Sequence, residues 1–494
     1  MLIKTLNMQK LLLVPLLFIF SFSEKTHAQL QPSRIMTLQQ VVDLAKEQSL
    51  SAKQASTQLE NRYWQYRTFK SNYKPQLGLS GTLPDYNRAI TPVTQNDGTE
   101  MYRRRSLSTS SLDLSLNQNI GLTGGSVFMS SQLQRIDIFG EQRGNNYLAN
   151  PFVIGFNQPL FRYNDLNWAK KIEPLRYQES RKQFIEDMES VGLQASELFF
   201  NLLLAQINFE IAQTSLANTD TLYKISVGRF NLGKIAENDL LQMELGLMNS
   251  RNNVAQGELD VQLGTLRLRN FLNLKGNEEI ILIEPTTIPE FNIDLQQAIS
   301  EARANRKQML EFERYKLEAD RDVARAKGEN RLNANLVASY GLTQSAILAE
   351  NAYIEPLDQQ RLQVGFQIPI VDWGRARSQI RTAEANRELV ELNVSQAEQN
   401  FEQEIILLTT QFAMYREKLK IAIQSDTIAQ KRLEISMQRY LIGKIGILDL
   451  NVALDERIQA KRSYVNALRD FWTSYYDLRR KTLFDFEMMR EIIY

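Results

Sequence analysis

The chain has 494 residues with only 22 glycines and 12 prolines, 58 basic against 57 acidic residues for a net charge of +1, one histidine and no cysteine. So few breakers point to long uninterrupted elements rather than many small domains, and the charge balance gives no basis for binding nucleic acid. With no thiol, and a single histidine at position 27, the chain lacks the side chains for thiol nucleophiles, histidine acid–base pairs and nearly all zinc sites, so no catalytic residue, metal or cofactor is expected.

Residues 1–28 read as a secretory signal. Lys4 and Lys10 form a basic start, Leu11 to Phe22 a short apolar core, and Thr26-His27-Ala28 a small-residue cleavage site ahead of Gln29. The core is shorter than the roughly 20 residues a bilayer-crossing helix needs, and no cysteine follows it to carry a lipid. No later stretch has the length and apolarity of a transmembrane helix. An exported chain of this kind can enter a membrane only as a closed β-barrel, the other way to satisfy every backbone group in lipid.

After the leader, residues 29–73 form an N-terminal helical region, with helical spacing from Thr37 to Phe69. It has a counterpart at 294–330: Leu38-Gln39-Gln40 matches Leu295-Gln296-Gln297, 257 residues later. Strand-like alternation follows each copy, at 74–161 and 331–371. Leu77, Leu79 and Leu83 alternate with polar residues; Leu332 to Thr343 does the same; Phe152 to Leu160 and Leu362 to Ile370 are the returning strands. The first half adds a further pair, Ser106 to Ile120 and Ser126 to Phe139, joined at Gly121 to Gly125. One apolar face per strand can pack on a core or face lipid. The leader, and the lack of a helix to cover these strands, favour lipid. The connections Pro84 to Arg105, Gly140 to Asn150 and Ala346 to Gln359 are expected to be long exposed loops, with Arg103-Arg104-Arg105 solvated in one of them or touching lipopolysaccharide.

Two long hairpins are predicted, at 162–272 and 372–484, separated by a connector at 273–293 broken by Gly276, Pro285 and Pro289. Phe184, Met188, Val191, Ala195, Leu198 and Leu202 keep a sustained 4-3 spacing, as do Phe401, Ile405, Leu408 and Phe412, which is a coiled-coil seam. The descending seams alternate large with small residues, such as Leu247, Val254 and Val261 against Ser250, Gly257 and Gly264, with Arg457 an exception in the second copy. Small seam residues suit close helix approach. Trp64 and Trp472 are read as packing residues, and the tail at 485–494 yields no role.

The hairpin tips, 229–238 and 439–448, show the duplication most clearly. Ile225 to Leu240 and Ile435 to Leu450 share half of their sixteen positions, 210 residues apart. Gly233 and Gly443 can take the positive φ that ends a helix. Asp239 and Asp449 then fall in the first turn of the next helix, where the dipole favours negative charge.

Helix, strand pair, long helix, tip and long helix, all repeated, resembles the TolC-like outer-membrane efflux family. The resemblance is carried by the two tips, by Gln158-Pro159-Leu160-Phe161 and Ile368-Pro369-Ile370-Val371 where strand passes into helix, and by the duplication. It implies a mainly α fold with a membrane β-barrel part, built of coiled-coil hairpins and four to six strands per subunit. Three subunits would form an α/β-barrel conduit, with twelve strands where each gives four; the additional pair at 106–139 departs from that pattern. It further implies a passive homotrimeric duct in the outer-membrane lipid of a Gram-negative cell. A periplasmic adaptor would dock at Arg229, Gly233, Lys234, Arg439, Gly443 and Lys444, and an inner-membrane transporter would supply the energy. Asp449, with Asp239 as its equivalent, would line the pore entrance; helix capping is the plainer role for both. Tyr163 and Trp373, equivalent at a separation of 210, are either membrane-interface anchors or fillers of the strand-to-helix corner. The alternative to a duct is a periplasmic coiled-coil adaptor or spacer without a pore.

Overall fold

The computed structural model describes residues 34–494 apart from positions 96, 141, 142, 277, 443 and 446. The leader expected at 1–28 and the tip glycine Gly443 thus lie outside the described residues. Strand β1 (Arg34–Met36) leads into α1 (Leu38–Gln48) and α2 (Leu50–Ser71). The single helix expected from Thr37 to Phe69 is two, because Ser49 takes an extended conformation and its hydroxyl accepts from Ala52 N–H at 3.1 Å. The second half repeats the break at the matching residue: α5 (Leu295–Asn305) and α6 (Lys307–Glu329) part at an extended Arg306. Thr37 and Asp294, also 257 apart, both cap their helices by accepting from the backbone three residues on.

Strands β2 (Gln76–Thr94), β3 (Glu100–Ile120), β4 (Gly125–Phe139) and β5 (Gly144–Leu160) form one antiparallel meander, continued by β7 (Asn333–Ala346) and β8 (Leu357–Gln367) in the order β2–β3–β4–β5–β7–β8. Two expected loops are therefore strand. The stretch from Asp85 to Thr94 pairs with Glu100 to Thr109 beyond a register shift at Thr82/Asp85, and Gly144 to Asn150 pairs with β4. Arg103, Arg104 and Arg105 lie on β3 opposite Thr91, Ile90 and Ala89 rather than in a loop. The extra pair joins the sheet, which has six strands among the described residues.

Below the sheet run α3 (Asp165–Asn231) and α7 (Arg375–Leu441), of 67 residues each, roughly 100 Å at 1.5 Å per residue. Pro174 sits inside α3 without ending it. Each long helix turns into a shorter partner, α4 (Glu237–Phe271) and α8 (Ile447–Thr482). The seams are buried where the spacing placed them: Met188, Val191, Ala195 and Leu202 in α3, Phe401, Ile405, Leu408 and Phe412 in α7. Small residues set the approach of α4 to α3. A Cβ on Gly257 would stand 3.2 Å from Phe209 Cα, and one on Gly264 3.1 Å from a Leu202 methyl. The exceptional Arg457 reaches across its seam to pair with Asp426.

The core lies midway, where β6 (Ile280–Leu282) of the connector pairs parallel with β1, and α1, α3 and α8 converge on Phe199, Phe200, Leu268, Leu468 and Phe471. Full burial of each such side chain stabilises by about 1.5–3 kcal/mol. The tail forms a short hairpin, β9 (Phe484–Asp485) with β10 (Arg490–Glu491), and ends beside this core with the Tyr494 ring against Phe184. There Glu189, fully buried, accepts from Lys46 Nζ at 2.7 Å, from Arg479 Nε at 2.9 Å and from the Tyr494 hydroxyl. Burial pushes the Glu189 carboxyl up, but the two cations outweigh burial and hold it below the usual carboxylate range. Burial lowers Lys46 despite the Glu189 carboxylate beside it.

Removing the carboxylate leaves Lys46 buried without its ion-pair partner and leaves Arg479 with Asp485 as its remaining carboxylate. Glu189→Ala is expected to cost about 3–5 kcal/mol, and Tyr494→Phe about 1–3 kcal/mol, read as thermal unfolding midpoints by circular dichroism. Because the folded pKa is lowered, the contribution of Glu189 is complete above the ordinary carboxylate pKa and is lost as pH falls through the lowered value. The two unfolding midpoints of wild type and Glu189→Gln should converge in strong acid; a difference that persists there contradicts the assignment.

Candidate pore-forming surfaces

The two tips share helix-ending hydrogen bonds among their described residues. At the first, α3 ends with Gly233 N–H donating to Phe230 O at 2.8 Å and Lys234 N–H to Arg229 O at 2.9 Å; at the second, Lys444 N–H donates to Arg439 O at 2.8 Å. Gly233 has φ +67° and nothing within 4 Å of where a Cβ would be, so conformation and not space requires glycine there. Arg229, Lys234, Asp239, Arg439, Lys444 and Asp449 are all exposed. Asp239 accepts from Ala236 N–H at 3.3 Å, the capping geometry of an acid in a first turn. Asp449 occupies the matching first turn of α8 and, with Arg439, borders a groove of about 650 Å³ that also takes in Lys431, Arg432 and Val452. Arg432 is paired with Glu456. The structure thus joins Arg439 and Asp449 in one groove, a neighbourhood that spacing alone did not reveal.

At the other end, the sheet has two unlike faces. Register links Leu77, Leu116, Met129, Ile154 and Tyr340 across five strands, and Val127, Phe156, Ala338 and Leu362 across four. Leu77 is 70 % exposed, Leu362 76 % and Phe366 74 %, so none of the described residues covers this face. Higher on β4 the same face turns to Arg135 and Asp137, paired at 2.7 Å, which bounds the apolar band. The opposite face carries Ser80, Asp113, Gln132 and Asn150 in one row, with Asn150 donating to Gln132 at 3.1 Å. On that face Phe128 lies over Gly155, where a Cβ would meet its ring at 2.5 Å. Apolar and polar faces of comparable exposure on one sheet suit lipid on one side and water on the other.

The two strand-to-helix corners differ. Tyr163 is half-buried against the backbone of Gly328, with the Arg325 guanidinium 5.2 Å from its ring centre; burial raises its hydroxyl to about 12. It fills the corner. Trp373 is 96 % exposed at φ +55°, beside Ile370 and Val371, which are also exposed. Sequence reasoning missed the polar pins of these corners. Asn164 caps α3 and donates to Gly121 O and Leu122 O at 3.1 and 3.0 Å, and Asp372 accepts from Gly374 and Ala376 N–H, which hold its carboxyl low. An Asn or Asp just ahead of a helical run was the available signal. Trp472 belongs to the core, whereas Trp64 is largely exposed.

Residues 298–482 match the family described as outer membrane efflux protein. No curated protein sequence matches the chain. The whole fold is similar to solved outer membrane channels. The Campylobacter jejuni CmeC channel aligns at a TM-score of 0.65 with 16% identity, over 92% of this chain and 87% of that one. The Vibrio cholerae outer membrane protein VceC aligns at 0.62 with 14% identity over 90% and 95%, and the open-state Neisseria gonorrhoeae MtrE channel at 0.60 with 14% identity over 92% and 91%. The match to that family thus covers the second half of the chain, and the chain as a whole has the α/β fold of these solved structures.

A cation on the apolar face should disrupt membrane assembly where one on the polar face does not. Ile154→Arg is expected to cost about 2–4 kcal/mol near the middle of the band, read as loss of heat-resistant protein in the outer-membrane fraction. The control Ser339→Arg, on the opposite face, should be close to neutral; equal losses contradict the assignment of faces.

Proposed function

We propose that the protein is an outer membrane efflux channel that assembles as a homotrimeric duct, with its sheets closed into a barrel in the outer membrane and its helical hairpins extending through the periplasm. The observation that carries the reading is the six-stranded sheet with an uncovered apolar face, set on helices roughly 100 Å long. A soluble spacer would bury that face, and such length is needed only where a distance is spanned. The absence of thiols and, beyond position 27, of histidines fits a conduit that does no covalent chemistry.

In this reading the tips meet a periplasmic adaptor through Arg229, Gly233, Lys234, Arg439, Gly443 and Lys444, and an inner-membrane transporter drives cargo upward. Asp449, one per subunit, sets a ring of three carboxylates at the entrance. Crowded like charges at a narrow mouth attract cations and disfavour anions. Asp239 repeats the position in the other hairpin, and its hydrogen bond to Ala236 N–H supports a capping share in its role. Trp373, exposed where β8 gives way to α7, is the better placed of the two aromatics to sit at the periplasmic lipid interface.

Purified protein added to a planar bilayer is expected to give unitary, cation-preferring conductance. Asp449→Ala should shift the reversal potential under a salt gradient toward non-selectivity by several-fold in the cation-to-anion permeability ratio. No conductance from membrane-inserted protein contradicts the duct, and an unchanged ratio removes Asp449 from the entrance.

A further inference from the structure

Each copy brings unequal numbers of elements to the two parts of the wall. Near the sheet, helices lie side by side in the order α2–α3–α6–α7; toward the tips the order is α4–α3–α8–α7, four at either level. The sheet has six strands. We propose that the assembled protein closes a barrel of eighteen strands, six from each of three copies, with β8 of one copy pairing antiparallel with β2 of the next. The hairpin of β3 and β4 is what widens that barrel to the girth of its helical tunnel. The proposal rests on the trimeric duct above and departs from the twelve strands that four per subunit would give.

Matching circumferences support this count. Four helices at interaxial distances of 8–10 Å cover an arc of roughly 32–40 Å. Strands about 4.8 Å apart and tilted by 35–45° each occupy roughly 6–7 Å of circumference, so six cover roughly 35–41 Å. Four would cover only roughly 23–27 Å at the same tilt. With six strands each copy subtends the same arc in lipid and in the periplasm, without exceptional tilt.

The extra hairpin is built into the wall. β3 pairs with β4 without a break from Ser106↔Phe139 to Ile120↔Gly125, and their outer sides pair with β2 and β5. Its turn is fixed to the helical part: Asn164 donates to Gly121 O and Leu122 O, Gln118 to Tyr73 O at 2.8 Å, and Asn119 to Asn72 O at 3.0 Å. The free edges suit a second copy. All eleven residues of β8 are exposed, as are β2 residues 76–88. An even number of antiparallel strands leaves β2 and β8 opposed in direction, so β8 meets the neighbouring β2 as one more antiparallel step. Leu362 and Val364 then continue the apolar face of Leu77 and Leu79.

The chain has no cysteine, so introduced pairs report without background. In outer membranes, a short thiol cross-linker is applied to Ser80→Cys with Asp113→Cys and to Gln132→Cys with Asn150→Cys, which are neighbours in the six-stranded wall. Ser80→Cys with Asn150→Cys are neighbours only if β3 and β4 leave the wall and β2 meets β5. The seam is scanned with Ser80→Cys and, in turn, Gln359→Cys, Gln363→Cys and Gln367→Cys. Expected are intramolecular links in the first two variants, none between 80 and 150, and a dimer-to-trimer ladder from at least one seam variant. A link between 80 and 150 in a protein that still gives the ladder overturns eighteen strands while the trimer stands. Absence of any ladder, with migration as a monomer, overturns the assembly and the barrel together.

Discussion

Strands β2 and β8 each have a sheet partner on one side only among the described residues, so each leaves a row of backbone N–H and C=O groups unpaired. In water such edges invite aggregation, and in lipid each unpaired group costs several kcal/mol. The same sheet turns leucine, isoleucine and phenylalanine to one side and serine, asparagine and glutamine to the other. One copy can satisfy neither the edges nor the apolar face. A closed ring satisfies both, because closure removes edges and lipid accepts the outer face. The single chain is accordingly an arc, and its helical layer, four abreast, is an arc of similar width.

The duplication makes that arc regular, and the middle of the molecule holds its halves in phase. Hairpin tips 210 residues apart share their helix-ending hydrogen bonds, and helix breaks at Ser49 and Arg306 recur 257 residues apart. Glu189 ties α3 to α1 through Lys46, to α8 through Arg479 and to the tail through Tyr494. Such a network is costly when incomplete, since one missing partner leaves buried charge. Further pairs, Arg314 with Glu179 at 2.6 Å and Arg306 with Glu404 at 2.9 Å, also cross between helices. The long hairpins beyond have simpler seams of apolar and small residues, as suits a wall that repeats along its length.

What the sequence disclosed follows from periodicity. The seams of α3 and α7 repeat at 3.5 residues and the apolar faces of β5 and β8 at 2, while the tips, with Gly233 and the first-turn acids, stand out because they repeat each other 210 residues apart; all of these could be placed from one chain. The upper parts of β2 and β3 could not. Tyr86 to Thr94 and Glu100 to Arg105 mix charges, prolines and aromatics without an apolar stripe, so a paired ribbon looked like loop. The parallel pair β1–β6 is three residues long on each side and joins Arg34 to Ile280, too short and too distant for any local signal. The partners of Glu189 lie 143, 290 and 305 residues away, and a lone glutamate in a charged helix gives no sign of burial. For the tips, sequence named the exposed residues, but the groove shared by Arg439 and Asp449 depends on how α7 and α8 lie together.

The central claim, that the apolar face of the sheet meets lipid while the other meets water, is tested most directly by spin labels along β8. Single cysteines at positions 361 to 366, labelled with a nitroxide in reconstituted vesicles, would be compared for collision with oxygen, which partitions into lipid, and with a water-soluble nickel chelate. The account predicts a period of two, with 362, 364 and 366 favouring oxygen and 361, 363 and 365 the chelate. Labels that all favour the chelate, or that show no alternation, would contradict it.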